Sequence, residues 1–254
     1  SWGGKSLNTD FRPPSAGPYV FNETQLANFQ KQGKDLAKIK ADKVAETGVY
    51  YRLMIEHVKS VLGNLSSVVP GYDASQGHEL AGFAWFQGWN DMVDSGTYSN
   101  REKPGGYDAY SEVMAHFIRD VRKDLGAPKL PFVIGVLGVG GPTAEYLPDQ
   151  MRYKATHYNF RAAMAAPASL PEFQGNVAAI LTEKYWDMEL TAARAKENAL
   201  KQQAKKIATE TKLKPAEGEP TKESWVLLGR IQERQFKTDE AIASLEKAKE
   251  LGVQ

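Results

Sequence analysis

Gln87 and the four residues after it, Gly88-Trp89-Asn90-Asp91, form the densest set of groups able to do chemistry in this sequence. The two amides offer NH2 donors that carry no charge. The carboxylate accepts hydrogen bonds or a proton, and the indole offers a flat apolar face. Just before them, Ala81, Phe83, Ala84, Trp85 and Phe86 make a nearly continuous apolar run. That pattern predicts a strand covered on both faces, as in a parallel sheet. The strand should break at Gln87-Gly88 and deliver Trp89, Asn90 and Asp91 into a loop. Groups placed there stand at the carboxyl edge of the sheet, where open α/β folds bind ligands. The bland alternative is a tight strand-to-helix turn in which Asn and Gly only satisfy the backbone.

The elements that must carry this stretch follow a βαβ rhythm. Residues 24–45 read as an exposed helical segment interrupted at Gly33. Residues 50–62 read as a helix with Tyr50, Met54, Val58, Val61 and Leu62 on one face, ending near Gly63-Asn64. After a polar loop at 95–106, Asp108 is placed to cap a helix whose apolar residues are Tyr110, Val113, Met114, Phe117, Ile118, Val121 and Leu125. Residues 131–138 and 176–181 are the next strands, with a helix at 150–166 between them. The fold class expected is α/β with a mostly parallel sheet.

Other candidate groups are weaker. Of the four histidines, His57 lies on a helix as a solvated or packing residue, and His78 stands at the strand's entrance, opposite the candidate site. His116 falls off its helix's apolar stripe, and His157 is best placed to approach a cleft. A pair of Asp91 with His157 is one route to acid–base chemistry, although a packing role is the commoner fate of a helical histidine. Ser6 has no histidine close in sequence and reads as a loop hydroxyl. Gly3-Gly4-Lys5-Ser6 superficially matches the end of a P-loop, but the strand and glycine that motif needs upstream are absent. Arg12, alone in a loop, reads as a structural anchor or a substrate-binding group.

Composition sets outer limits. The 254 residues suffice for one large domain or two small ones. A net charge of +1 leaves no basic excess to neutralise phosphates, so nucleic acid is not an expected partner. No apolar run reaches the length of a membrane span. With no cysteine, disulfide and thiolate chemistry are excluded. No His/Asp set with metal-ligand spacing is present, so neither metal nor cofactor is expected.

Gly88-Trp89-Asn90-Asp91 spells G-x-N-D, and the longer string WFQGWND resembles the third sequence block of the SGNH hydrolases, in their sialate O-acetylesterase and acetylxylan-esterase branch. Near the start, WGGKS is similar to the family's second block. The resemblance covers residues 1–187 and implies a flavodoxin-like three-layer α/β/α sandwich. It also implies hydrolysis of acetyl esters on sugars, with an acetylated carbohydrate as the partner. Asn90 would donate to the oxyanion of the tetrahedral intermediate, with Gly3 or Gly4 giving a second, backbone donor. The physics is general: the ester carbonyl oxygen turns negative under attack, and one preplaced neutral donor stabilises it by roughly 3–4 kcal/mol. Gln87, Gly88 and Asp91 would support the loop, and Trp89 would stack on a sugar ring. Many sugar acetylesterases carry Glu at the position of Trp89.

The family's serine nucleophile belongs to a block upstream of the glycine loop, and its catalytic histidine to one downstream of the last core strand. Neither block is recognised in this sequence. The expectation is therefore an internal piece of a longer secreted or periplasmic esterase, completed by further chain segments or in a homo-oligomer. The alternatives are a carbohydrate-binding protein that does not cleave, and an interaction scaffold. From residue 188 the composition turns to Ala, Lys, Glu and Gln, a helical extension. Residues 224–252 have the spacing of one tetratricopeptide-like hairpin (Trp225, Leu228, Gly229, Ala241, Leu245, Ala248), read more simply as a charged helical insertion.

Overall fold

The computed structural model describes residues 2–212. An N-terminal loop leads to α1 (Glu23–Lys31) and α2 (Leu36–Glu46). Asn22 and Gln25 form a capping box on α1, and Asp35 caps α2 through the Lys38 amide. Gly33 takes a left-handed conformation between them, the predicted interruption. Next come α3 (Val49–Leu62), the single turn α4 (Leu65–Val68), β1 (Phe83–Trp85) and α5 (Trp89–Val93). Then α6 (Asp108–Asp124), β2 (Phe132–Val136), α7 (Lys154–Ala165), β3 (Val177–Leu181) and α8 (Met188–Lys212) complete the described chain. Residues 1–191 form one compact unit; of the second, 192–254, the remainder of α8 is described. The hairpin expected at 224–252 lies outside the described residues. No described helix is long and apolar enough to cross a membrane.

The three strands are parallel in the order β1-β2-β3, with Phe83 opposite Phe132 and Phe132 opposite Val177. Helices α6 and α7 make the crossovers, so the βαβ expectation holds. This is an α/β fold with an all-parallel sheet, consistent with the SGNH-like α/β/α class. Strand alternation puts Phe83, Trp85, Phe132, Ile134, Val136 and Val177 on one face. On it, Phe83 stacks on Phe132 at 4.9 Å, and Phe117 of α6 lies 4.5 Å from Trp85 and 5.6 Å from Tyr51 of α3. Val113, Met114, Phe117, Ile118 and Val121 of α6 are buried, as the helical period predicts. Each such side chain contributes about 1.5–3 kcal/mol. Buried Arg122 ties the layers together, donating to the Leu130 carbonyl (3.1 and 2.9 Å) and to Asn176 Oδ1 (2.7 Å).

Four details correct the sequence reading. First, the strand is not covered on both faces: Ala84, Phe86, Val133, Ala178 and Ile180, which share the other face, are exposed among the described residues. Second, Trp89, Asn90 and Asp91 sit in the short helix α5 and not in a loop. Third, α3 buries Tyr51 and Ile55, one position on from the predicted stripe, while Tyr50 and Met54 pack at the core's margin. Fourth, Asp108 is the first residue of α6, which Tyr107 precedes as N-cap.

The turn after β2 is a close approach. A Cβ on buried Gly138 would lie 2.4 Å from the Glu183 amide nitrogen and 2.5 Å from the Thr182 carbonyl carbon, both backbone atoms. Gly138→Ala should therefore destabilise the protein by about 1–3 kcal/mol. Gly3→Ala, which meets no atom within 4 Å, should change stability by less than about 0.5 kcal/mol. Urea unfolding of the two variants checks the pair.

Candidate active site

The site begins where β1 ends. Phe86 swings to the open sheet face, where its ring covers Gly135; a Cβ there would be 2.3 Å from it. Gly88 is buried, and a Cβ on it would meet Phe160 at 2.8 Å and Leu137 at 3.1 Å. Only a glycine lets the chain pass so close to α7 and turn into α5. The turn sends Gln87, Asn90 and Asp91 back toward the N-terminal loop.

Four hydrogen bonds join these two stretches, more than eighty residues apart in sequence. The Lys5 carbonyl accepts from Gln87 Nε2 at 2.8 Å and from Asn90 Nδ2 at 3.1 Å. Asp91 accepts from the Leu7 amide at 2.8 Å and the Asn8 amide at 3.0 Å. It also takes Gln87 Nε2 at 2.9 Å and the Tyr98 hydroxyl at 3.3 Å. Asp91 is only 1% exposed, whereas Asn90 is half-buried and Trp89 is 52% exposed. Gly3 and Gly4 are exposed. Among the described residues, the N–H groups of Gly3, Gly4 and Lys5 donate to no partner.

The loop is braced from within. Asp10 accepts from the Ser6 amide (2.9 Å) and hydroxyl (3.1 Å) and pairs with the Lys5 ammonium (3.3 Å), which lies 4.1 Å above the Tyr50 ring. Arg12 donates to Asn8 Oδ1 (2.8 Å), the Gly17 carbonyl (2.7 Å) and the Ala16 carbonyl (3.0 Å). It thus supports the loop and is spent on it, which weighs against a substrate-binding role. Trp2 stands edge-on to Tyr50 at 5.4 Å while remaining exposed.

The electrostatics follow from burial. Among the described residues no cation contacts Asp91, and its donors are neutral. Burial lifts its pKa to about 6, and the hydrogen bonds from Gln87, Leu7, Asn8 and Tyr98 only partly offset this. Burial also raises the Tyr98 and Tyr110 hydroxyls well above their ordinary value, so both stay neutral donors. Tyr110 donates to the Gln87 carbonyl at 3.2 Å.

The Asp91–His157 pair does not form. His157 is buried in α7, stacked on Tyr153 at 5.6 Å, with Nδ1 held 2.5 Å from the Tyr146 hydroxyl. Burial first, and Arg161 second, lower its pKa to about 4, so it is neutral at pH 7. Arg161 clamps the turn after β2, donating to the Val139 carbonyl (2.8 Å) and the Gly141 carbonyl (3.0 Å) and pairing with Glu183. Sequence reasoning missed this clamp, which a helical period cannot reveal. It also missed a contact between the Ser15 hydroxyl and His116 Nδ1 at 2.8 Å. That pair is a tether. The Ser15 amide is taken by Asp120, and the Ala16 and Gly17 amides by the carbonyls of Pro13 and Pro14. These three backbone amides are therefore already engaged. His57 and His78 are exposed. Among the described residues no three His, Asp or Glu side chains converge as a metal site would require.

A family profile described as carbohydrate esterase, sialic acid-specific acetylesterase, matches residues 33–174, more than half of the chain. The chain belongs to that family. The match takes in β1, the 87–91 turn, α6, β2 and α7, and begins after the glycine loop. No curated protein and no solved structure matches the chain.

The Gln87 side chain is bonded both to the Lys5 carbonyl and to Asp91. Gln87→Glu keeps the shape but faces a carboxylate with two acceptors. The new acid should have a raised pKa in the folded state, so it stabilises least at high pH. The variant should lose about 2 kcal/mol or more at pH 8 and recover part of it at pH 5. Urea unfolding at the two pH values checks this.

Proposed function

We propose that the junction of Asn90 with the glycine loop is the oxyanion-binding half of a serine-dependent carbohydrate O-acetylesterase. Family membership supports an esterase acting on carbohydrate. The observation that carries the finer reading is the bond from Asn90 Nδ2 to the Lys5 carbonyl. It fixes the amide plane with one N–H, leaves the second without a partner among the described residues, and ties Asn90 to the loop that carries Gly3 and Gly4. A tetrahedral intermediate of ester cleavage needs such neutral donors around one oxygen.

In the reaction, a serine hydroxyl gives its proton to histidine as its oxygen attacks the acetyl carbonyl carbon, and the carbonyl oxygen takes the negative charge between Asn90 and a glycine amide. The intermediate then collapses, the C–O bond to the sugar breaks, and the departing alkoxide takes a proton from histidine. Water repeats the sequence on the acetyl-serine and releases acetate. Neither serine near the loop fits the nucleophile: Ser6 is held by Asp10, and the amides of Ser15, Ala16 and Gly17 are already engaged. The Ser–His unit in this reading lies beyond the described residues. Exposed Trp89, beside Asn90, provides a face on which a pyranose stacks. The commitment of Ser6 also favours a second reading, a site that binds acetylated sugar without cleaving it.

Acetate release from p-nitrophenyl acetate and from acetylated sugars, by the protein expressed from its complete reading frame, separates the two readings. The esterase reading expects turnover, and Asn90→Ala should lower kcat by about 100–1,000-fold with the fold retained and stability reduced by no more than about 0.5–1.5 kcal/mol, the worth of the lost bond to Lys5. A loss below about fivefold removes Asn90 from the mechanism. Binding with no turnover supports the second reading.

A further inference from the structure

We infer that Trp2 is a second sugar-binding platform of this site, paired with Trp89, so that the site takes a unit within a neutral glycan chain and not a lone sugar. This rests on reading the junction as an oxyanion pocket and adds to it the length of the substrate. Trp89 precedes Asn90 in α5, and Trp2 precedes the glycines of the N-terminal loop. Each stretch that brings oxyanion donors therefore also brings one indole, 46% exposed for Trp2 and 52% for Trp89. A lone surface tryptophan needs no explanation. Two of them, one on each partner of the same hydrogen-bonded junction, mark a surface kept for a ligand.

Trp2 is both near the junction and held in place. Gly3 and Gly4 turn the chain between Trp2 and Lys5, and such a turn keeps its end Cα atoms within about 7 Å of each other. The Lys5 carbonyl in turn accepts from Asn90. The Trp2 indole stands edge-on to Tyr50 at 5.4 Å and is tilted by 50° on Phe11 at 6.2 Å, while Phe11 meets Trp85 of β1 at 5.3 Å. A relay of rings thus moors Trp2 to the sheet and sets its orientation before any ligand arrives. The turn beside it is open, since a Cβ on Gly3 or Gly4 would meet no atom within 4 Å.

The charges say which kind of glycan fits. Lys5 and Arg12 are the cations of residues 2–22. Lys5 is paired with Asp10 at 3.3 Å and lies over the Tyr50 ring; Arg12 is turned to Asn8 and the carbonyls of Ala16 and Gly17. A sugar carboxylate would have to compete with one of these partners. A neutral pyranose lays its carbon-bound hydrogens on an indole without that competition. Covering one indole with one sugar face removes apolar area from water, worth about tenfold in affinity. The gain from Trp2 should be confined to ligands long enough to reach both indoles.

The test uses the 254-residue chain and unacetylated sugars, so it needs no turnover. Methyl glycosides and β-linked tetrasaccharides of xylose, glucose and mannose, and a tetramer of sialic acid, are titrated into 15N-labelled protein while the indole N–H resonances are followed. At least one neutral tetrasaccharide should bind about tenfold or more tighter than its methyl glycoside, with the Trp2 and Trp89 resonances shifting together. Trp2→Ala should remove that gain and leave the methyl glycoside's affinity unchanged; Trp2→Phe should restore part of it. No gain for any neutral tetrasaccharide, absence of binding included, would overturn the proposal. So would a gain that survives Trp2→Ala, or one confined to the sialic acid tetramer. If Trp2→Ala fails to fold, the wild type decides: a Trp2 resonance unmoved by a tetrasaccharide that moves Trp89 overturns the proposal. Turnover by the protein from its complete reading frame is a separate readout. The gain without turnover removes the esterase reading alone, and turnover without the gain removes the second platform alone.

Discussion

The burial of one carboxylate governs how this molecule is put together around its site. Asp91 is sealed at the start of α5 with no cation among the described residues to neutralise it, and it is tolerable there because four donors point at it. Two of those donors belong to the N-terminal loop. The loop thus completes the hydrogen bonding of a group that would otherwise be a buried, unpaired charge, a situation worth several kcal/mol. The Lys5 carbonyl plays the converse part, accepting from Gln87 and Asn90. Each stretch satisfies the other's polar groups, and neither would be ordered in this way alone.

The rest of the fold serves that exchange. The parallel sheet sets the height at which the chain leaves β1, and Gly88 lets it turn against Phe160 and Leu137. Helix α6 lies under β1 and supplies Tyr110, which holds the Gln87 carbonyl. Arg161 of α7 and Glu183, just after β3, fasten the turn after β2, which contributes Leu137 to the packing around Gly88. The carboxyl edge of the sheet is therefore a row of braced turns, one carrying donors and the other acting as its wall.

Much of this was legible in the sequence, and the reasons differ by element. The period of α6 and the apolar runs of β2 and β3 announced themselves, because burial imposes a spacing. The strings WGGKS and WFQGWND pointed to two stretches that the structure brings into contact, and membership of the carbohydrate esterase family agrees with the resemblance they carried. Three features stayed hidden. The stripe of α3 was placed one residue off, since Tyr50 and Tyr51 are equally apolar and a single step on a helix turns by about 100°. The open sheet face escaped notice because an apolar run reports what a strand can bury, not what is there to cover it. The links from Asp91 to Leu7 and Asn8 use backbone amides, which every residue possesses and no sequence pattern marks.

The central claim is that the Asn90 side chain and a glycine amide converge on a single oxygen that becomes negative. A methylphosphonate monoester of a sugar places a charged oxygen where the tetrahedral intermediate has one, and amide resonances report its neighbours directly. On titrating this analogue into 15N-labelled protein, the account predicts that the Asn90 side-chain NH2 and the Gly3 or Gly4 amide shift together, with one shared dissociation constant. Binding that leaves the Asn90 side chain unmoved, or that shifts it without either glycine, would contradict the account.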